Sequence, residues 1–127
     1  MAKILIIDDE PLVRKTARVM LELAGHSVVE AVDGCEGMNK FGLEKFDLVI
    51  TDILMPNQDG LETLASMRDG QVRTPVLAMS GGGRAGNQEF LKIAKAFGAD
   101  DILPKPFSTK SLVEKVNLLC TRQSGVA

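Results

Sequence analysis

Charged residues follow three separate apolar segments of the chain. Asp8 and Asp9 come directly after the run Lys3–Ile7. Asp52 ends a second apolar run, and Lys105 follows a third, shorter one. Apolar runs of this length are typical of buried strands, so in a parallel sheet these charges would share one edge. Three carboxylates and an ammonium group there predict a divalent-cation site with a lysine facing an anion, which is the chemistry of phosphoryl transfer to or from a carboxylate.

The acidic residues of this edge need a cation in order to lie together. Like charges held close in a partly dry site repel one another strongly, even at an effective dielectric of about 20. Mg²⁺ or Mn²⁺ relieves this repulsion and prefers hard oxygen ligands in an octahedral array. Taken singly, Asp8 and Asp9 are better explained as caps of the next helix, and Asp52 as the start of a turn. Their combination with Lys105 favours the metal site.

A serine and a glycine triplet are expected at the same edge. Ser80 ends a fourth apolar run, and its hydroxyl can donate to a phosphoryl oxygen. The glycines at 81–83 follow, and successive glycine amides can surround an anion, although such a triplet is more often a flexible loop. Pro106 restricts Lys105 to an extended backbone and leaves a cis bond open.

The elements that must position these residues alternate between strand and helix patterns. The predicted strands cover 3–7, 27–32, 46–52, 74–80 and 101–103, and the predicted helices cover 11–24, 35–43, 61–67, 88–97 and 108–120. Gly25 is expected just past the end of the first helix, and Ser108 at the N-cap of the last. The alternation predicts a single α/β domain, a doubly wound and mainly parallel sheet covered by helices on both faces.

Composition argues against several classes of function. The 127 residues include 15 Lys+Arg and 17 Asp+Glu, so the formal charge is −2, which favours neither nucleic acid nor an anionic membrane surface. Trp and Tyr are absent, so base stacking is not expected. Cys35 and Cys120 have no metal-type spacing, and no segment resembles a signal peptide or a membrane span. These features predict a cytoplasmic protein without direct nucleic-acid or membrane partners.

The charged residues above, in this order, resemble the receiver domain of two-component response regulators, of the chemotaxis-regulator type. The resemblance covers about residues 3 to 120 and also rests on the segments 55–60 and 105–107. It implies a flavodoxin-like sheet of five parallel strands in the order 2-1-3-4-5 with five helices. The expected domain is 1–120, followed by a frayed tail at 121–127.

The resemblance also implies a role for each acidic residue. Asp52 is expected to be the phosphoacceptor, which attacks phosphorus in line and forms an acyl phosphate. Asp9 and Asp52 are expected to bind Mg²⁺ (or Mn²⁺) directly, together with the backbone carbonyl of Leu54. Asp8 is expected to act on the metal through water. The donor would be a phosphohistidine on a histidine kinase or a histidine phosphotransfer protein.

Phosphorylation is expected to act as a switch for an output protein. Ser80 and Lys105 would each hold a phosphoryl oxygen, and Ser80 would draw the glycine loop at 81–83 towards it. Family members carry an aromatic residue three positions before the lysine, where this chain has Ile102. We therefore expect backbone motion of the glycines to replace an aromatic rotation.

Two surfaces are candidate partner sites. The first helix carries a second apolar stripe, which either docks the phosphodonor or packs under a neighbouring helix, and which consists of Leu12, Thr16, Val19 and Leu23. The fourth and fifth helices carry lysines that either belong to an output surface or are simply solvated, namely Lys92, Lys95, Lys110 and Lys115.

Two other classes of protein would differ from a receiver domain at specific positions of the sequence. A Mg²⁺-dependent phosphatase with an aspartyl phosphate would need a second acid two residues after the nucleophile, where this chain has Leu54. A phosphate-independent interaction module would normally lack one of the acids or the lysine. We therefore expect no enzyme beyond self-phosphorylation and self-dephosphorylation. The sequence leaves open whether the chain acts alone or belongs to a larger regulator.

Overall fold

The computed structural model describes residues 1–53, 60–69, 74–80, 87–96 and 98–125. Within these ranges, five strands alternate with five helices. The strands are β1 (Lys3–Ile7), β2 (Ser27–Ala31), β3 (Leu48–Asp52), β4 (Val76–Ser80) and β5 (Asp101–Pro104). The helices are α1 (Pro11–Leu23), α2 (Gly34–Leu43), α3 (Gly60–Asp69), α4 (Asn87–Ala96) and α5 (Thr109–Gly125).

The five strands form one parallel sheet in the order β2-β1-β3-β4-β5. The predicted fold class and strand order are therefore confirmed. Parallel strands need a crossover between them, and each of the helices α1 to α4 supplies one. The chain runs from β1 outwards to β2 and then returns past β1 to β3, so the winding changes direction between β1 and β3. Ligands of such sheets bind at the carboxyl ends of the strands beside this switch point.

The core consists of two layers, one on each face of the sheet. On one face, Ile4 and Ile6 of β1 pack in a cluster with Leu21 of α1 and Leu112 of α5. On the other face, the alternate residues Leu5 and Ile7 pack in a cluster that draws on α2, α3 and α4. Successive side chains of a strand point to opposite faces, so a strand buried on both faces must be apolar throughout. This explains why the predicted strands appear as continuous apolar runs.

Two helix ends follow the predicted capping pattern. Gly25 has a φ of +96° just past α1, the left-handed conformation that glycine adopts without strain. The Ser108 hydroxyl oxygen accepts from the N–H of Ser111 at 3.1 Å, which confirms the predicted N-cap of α5. The predicted helix end at Cys120 is wrong, since α5 continues to Gly125. The intervening residues contain no helix breaker, and the first glycine ends the helix.

Helix α2 lies unusually close to β1. A side-chain β-carbon at Gly37 would lie 2.8 Å from Cγ1 of Ile7, closer than real contacts of this kind. Gly42, in the last turn of the same helix, has open space around it. In the described part of the chain, no helix is both long enough and apolar enough to cross a bilayer.

Candidate functional site

Asp8 lies one residue beyond β1 and is completely buried. Its N–H donates to the carbonyl oxygen of Ala31 at 3.1 Å, which extends the pairing of β1 with β2. Its Oδ1 accepts from the N–H of Glu10 at 2.9 Å, a local turn that aspartate favours. Pro11 then starts α1, the helix position where a missing N–H costs nothing. The chain therefore leaves the sheet immediately after Asp8, and the carboxylate of Asp8 stays at the carboxyl end of β1.

Asp52 is the last residue of β3 and is only 4% exposed. In the sheet it is the register partner of Met79 on β4. Because β3 lies between β1 and β4, Asp52 reaches the edge at the centre of the sheet, beside the switch point. A carboxylate at this depth is stable only with opposite charge or hydrogen-bond donors close by.

Lys105, which follows β5, supplies that opposite charge. Its Nζ lies 3.0 Å from Oδ2 of Asp8, 3.0 Å from Oδ2 of Asp52 and 3.1 Å from Oε1 of Glu10. The side chain of Lys105 is 11% exposed, and the peptide bond between it and Pro106 is cis. The expected meeting of the lysine with two of the predicted acids is therefore observed.

The charge state of Lys105 follows from two opposing influences. Burial of the ammonium group by itself lowers the pKa of Lys105, because it removes water from the charge. The close carboxylates of Asp8 and Asp52, the second of which accepts a hydrogen bond from Lys105, outweigh burial, so the pKa of Lys105 is raised above its ordinary value. Lys105 therefore stays positively charged at neutral pH and faces the carboxylates of the site as an ammonium group.

The carboxylates of this edge fit a hard divalent cation. Asp8, Glu10 and Asp52 each offer an oxygen, and these oxygens lie within 4.8 Å of one another. Oδ2 of Asp8 is buried, and no donor in the described part of the chain makes a well-directed hydrogen bond to it, although the ammonium of Lys105 lies nearby. A buried acceptor in this state has lone pairs left for a metal or a metal-bound water. The donor set is therefore one that Mg²⁺ or Mn²⁺ prefers.

The structure does not test the predicted roles of the other candidate residues. Asp9 is half-buried and is not a member of this group of three carboxylates. The main chain of Ser80 ends β4 beside Pro104, at the expected edge, and its hydroxyl lies outside the described part of the structure. Leu54 and the glycines at 81–83 also lie outside the described residues. The roles of these residues stay predictions.

Sequence reasoning missed two residues of the site. Glu10 adds a third carboxylate, and the only signal for it was a third acid directly after Asp8 and Asp9. Arg14 is buried, and its Nη1 donates to the main-chain oxygen of Asp8 at 2.8 Å. Helical periodicity placed Arg14 among the polar residues of α1, because it cannot distinguish a solvated arginine from one that turns inwards.

The apolar stripe of α1 is exposed. Leu12 is 79% exposed, Val19 54% and Leu23 84%, so these side chains do not pack under a neighbouring helix.

The lysines of α4 and α5 are not all alike. Lys115 is half-buried and pairs with Asp101 at 3.1 Å, whereas the other three are exposed.

Comparisons with known proteins agree with this geometry. The family model for the response regulator receiver domain matches residues 4–117. Over 126 residues the chain is 34% identical to the alkaline phosphatase synthesis transcriptional regulatory protein PhoP of Bacillus subtilis (strain 168), covering 98% of this chain and 51% of that protein. It is 35% identical over 125 residues to the transcriptional regulatory protein ResD of the same strain, and the match covers 96% of this chain and 49% of that protein. The chain thus spans about half the length of the curated relatives it matches.

Solved structures show the same similarity. A response regulator receiver domain protein from Clostridium thermocellum superimposes with a TM-score of 0.89 and 29% identity, covering 100% of both chains. The chemotaxis response regulator CheY4 of Vibrio cholerae superimposes with a TM-score of 0.85 and 30% identity, covering 94% of this chain and 98% of that one.

Proposed function

This chain belongs to the response regulator receiver domain family, and on that premise we propose that Asp52 accepts a phosphoryl group from a phosphohistidine. The observation that carries the proposal is the position of Asp52: a buried carboxylate at the sheet's switch point, 3.0 Å from the ammonium of Lys105 and grouped with Asp8. Accepting a phosphoryl group is the function of the family. Its assignment to Asp52 of this chain is the proposal.

The transfer step is a displacement at phosphorus. A carboxylate oxygen of Asp52 attacks in line, the bond between phosphorus and the histidine nitrogen breaks, and the nitrogen keeps the electron pair and takes up a proton. The product is an acyl phosphate. Most of the catalysis is positioning and charge neutralisation, which a buried carboxylate beside a fixed cation supplies. The chemistry is confined to the chain's own aspartate, so no separate substrate is turned over.

Asp9 and Asp52, together with the carbonyl of Leu54, would hold Mg²⁺ or Mn²⁺ directly, and Asp8 would act on the metal through water, as the family resemblance implies. When bound, the metal neutralises charge on the phosphoryl oxygens. Lys105 would hold one phosphoryl oxygen, since its ammonium already lies between two of these carboxylates. The Ser80 hydroxyl would hold another.

We further propose that the phosphodonor docks along the exposed stripe of α1. This helix begins at Pro11, directly after the acidic residues, so a partner lying on it would be next to Asp52. The partner would be a histidine kinase or a histidine phosphotransfer protein, which implies a cytoplasmic setting. The output protein would respond to motion of Ser80 and the glycines at 81–83, because Ile102 is a buried aliphatic residue at the position of the family's aromatic.

The test is intact mass after incubation with acetyl phosphate and Mg²⁺. One phosphoryl group should be added to the wild type and none to Asp52→Asn, and EDTA should prevent the addition. Asp47→Asn is the matched control, because Asp47 precedes β3 at the opposite edge and its Oδ2 accepts from the N–H of Lys3 at 2.8 Å, which asparagine can also do. Phosphoryl addition to Asp52→Asn, or steady phosphate release from added monoesters, would contradict the proposal.

A further inference from the structure

Arg14 is a charged residue buried in the first turn of α1. It is 8% exposed, and its guanidinium makes two hydrogen bonds with different kinds of partner. Nε donates to Oε1 of Glu30 at 2.7 Å, and Nη1 donates to the main-chain oxygen of Asp8 at 2.8 Å. A buried guanidinium is tolerated only when its donors are used in this way. One side of Arg14 therefore faces a carboxylate on β2, and the other faces the acidic segment.

The bond to Asp8 acts on the peptide that joins the two predicted acids. The strand β1 ends at Ile7, so the carbonyl of Asp8 lies past the regular pairing and is buried with its residue. Arg14 supplies the donor that this carbonyl needs. The peptide group is planar, so fixing the carbonyl of Asp8 also fixes the N–H of Asp9 and the direction in which Asp9 continues. The N–H of Asp8 is already held by Ala31.

Glu30 keeps the guanidinium of Arg14 in place. Its Oε2 accepts from Nη1 of Arg18 at 2.8 Å, and its main-chain oxygen accepts from Nζ of Lys40 at 2.7 Å. The hydrogen bond from Arg18 is the largest influence that lowers the pKa of Glu30, and Arg14 and Lys15 act in the same direction against burial. Glu30 is therefore held by α1 at its carboxylate and by α2 at its main-chain oxygen.

We propose that Arg14 is a positioning residue for the metal and phosphoryl site. Through its bond to the carbonyl of Asp8, it holds the peptide between Asp8 and Asp9 in the geometry in which the carboxylates share one cation. The inference rests on the proposed function, because it assigns a role to a residue that touches neither metal nor phosphoryl group. If Arg14 only connected α1 to β2, the hydrogen bond to Glu30 would be enough, and the hydrogen bond to the carbonyl of Asp8 would have no purpose. Arg18 makes that contact to Glu30, and its Nε donates to Glu22 instead of to Asp8.

Arg18 therefore offers a matched control for Arg14. We expect Arg14→Met to weaken Mn²⁺ binding about tenfold or more, the usual effect of removing a residue that orients metal ligands. Arg18→Met, which also removes a guanidinium from Glu30, should change the affinity less than about twofold. The affinity is measured from the free Mn²⁺ signal in electron paramagnetic resonance. A folded Arg14→Met protein that binds Mn²⁺ within about twofold of the wild type would overturn the proposal.

A second measurement tests the role of Arg14 on the wild-type protein and does not require Arg14→Met to fold. Addition of Mg²⁺ should shift the side-chain Nε–H resonance of Arg14 clearly more than that of Arg18. Equal or absent shifts at saturation would overturn the proposal. The two proposals fail separately. Absence of phosphoryl addition to the wild type contradicts the role of Asp52, whereas unchanged Mn²⁺ affinity in Arg14→Met contradicts only the role of Arg14.

Discussion

Nζ of Lys105 lies 3.0 Å from Oδ2 of Asp52, although β4 lies between β3, which ends in Asp52, and β5, which precedes Lys105. The lysine side chain crosses the end of β4 to reach the centre of the sheet edge. There it is the positive charge placed among three carboxylates, those of Asp8, Glu10 and Asp52. The stability of this edge in the absence of metal therefore depends on Lys105.

We expect Lys105→Met to lower the free energy of unfolding by about 3 kcal/mol in EDTA, because it leaves buried carboxylates without their counter-charge. Added Mg²⁺ should recover part of this loss, since it takes over the neutralising role. Denaturant unfolding in EDTA and in Mg²⁺ measures both effects. Lys110→Met is the control, because Lys110 is exposed and its removal should change the free energy by less than about 0.5 kcal/mol. Equal unfolding free energies for both variants in EDTA would contradict the expectation.

Mg²⁺ should stabilise the wild type through its carboxylates. A ligand that binds only the folded state at about 100 times its Kd adds about 2.7 kcal/mol to the free energy of unfolding. We expect a rise in Tm with Mg²⁺ that is much smaller in Asp52→Asn, which lacks one of the three grouped carboxylates. Thermal melts followed by circular dichroism measure the rise. An equal rise in Tm with sodium chloride at the same ionic strength would show that salt screens the charges in general and that Mg²⁺ does not bind a specific site.

The ion pairs of Glu30 should make stability depend on acid pH. The pKa of Glu30 is lowered from 4.5 in the folded chain. The carboxylate therefore contributes stability that is present above the unfolded pKa and is lost as the pH falls through the lower, folded pKa. The difference in unfolding free energy between the wild type and Glu30→Gln should be largest near neutral pH and should shrink below about pH 4. Urea unfolding at several pH values checks this, and a constant difference would contradict it.

A charge on the exposed stripe of α1 should block a phosphodonor protein and leave a small donor unaffected. We expect Leu23→Glu to reduce phosphoryl transfer from a histidine phosphotransfer protein about tenfold or more, as loss of a dominant interface contact does. Transfer from acetyl phosphate should not change. Leu43→Glu is the control, because Leu43 is 82% exposed at the end of α2, compared with 84% for Leu23. Equal losses in both variants would argue against a docking site on α1.

Two glycines of α2 should respond oppositely to alanine. Gly37→Ala should lower the free energy of unfolding by about 1–3 kcal/mol, because the new methyl group meets Ile7 in the core. Gly42→Ala has open space and should be neutral or raise the free energy by up to about 1 kcal/mol, since alanine favours the helix. Urea unfolding of the two variants separates packing from helix propensity. A destabilised Gly42→Ala with an unaffected Gly37→Ala would contradict the close approach of α2 to β1.

Local pattern was enough to predict most of the architecture. Buried strands such as Lys3–Ile7 have to be apolar on both faces, and helices between them have to show a period near 3.6, so both appear in the sequence without any tertiary information. The position of Asp8 and Asp52 at strand ends follows from the same pattern. The end of α5 was misplaced, because nothing between Cys120 and Gly125 stops a helix.

The sequence by itself determined which strand ends carry acid and which carries Lys105, since charge cannot continue a buried apolar run. Only the tertiary structure decided which side chains meet there. It grouped Glu10 with Asp8 and Asp52, and it turned Arg14 inwards to the carbonyl of Asp8. The physical reason is that the direction of a side chain at the edge depends on partners from other strands and helices, which the spacing of residues along one element does not specify.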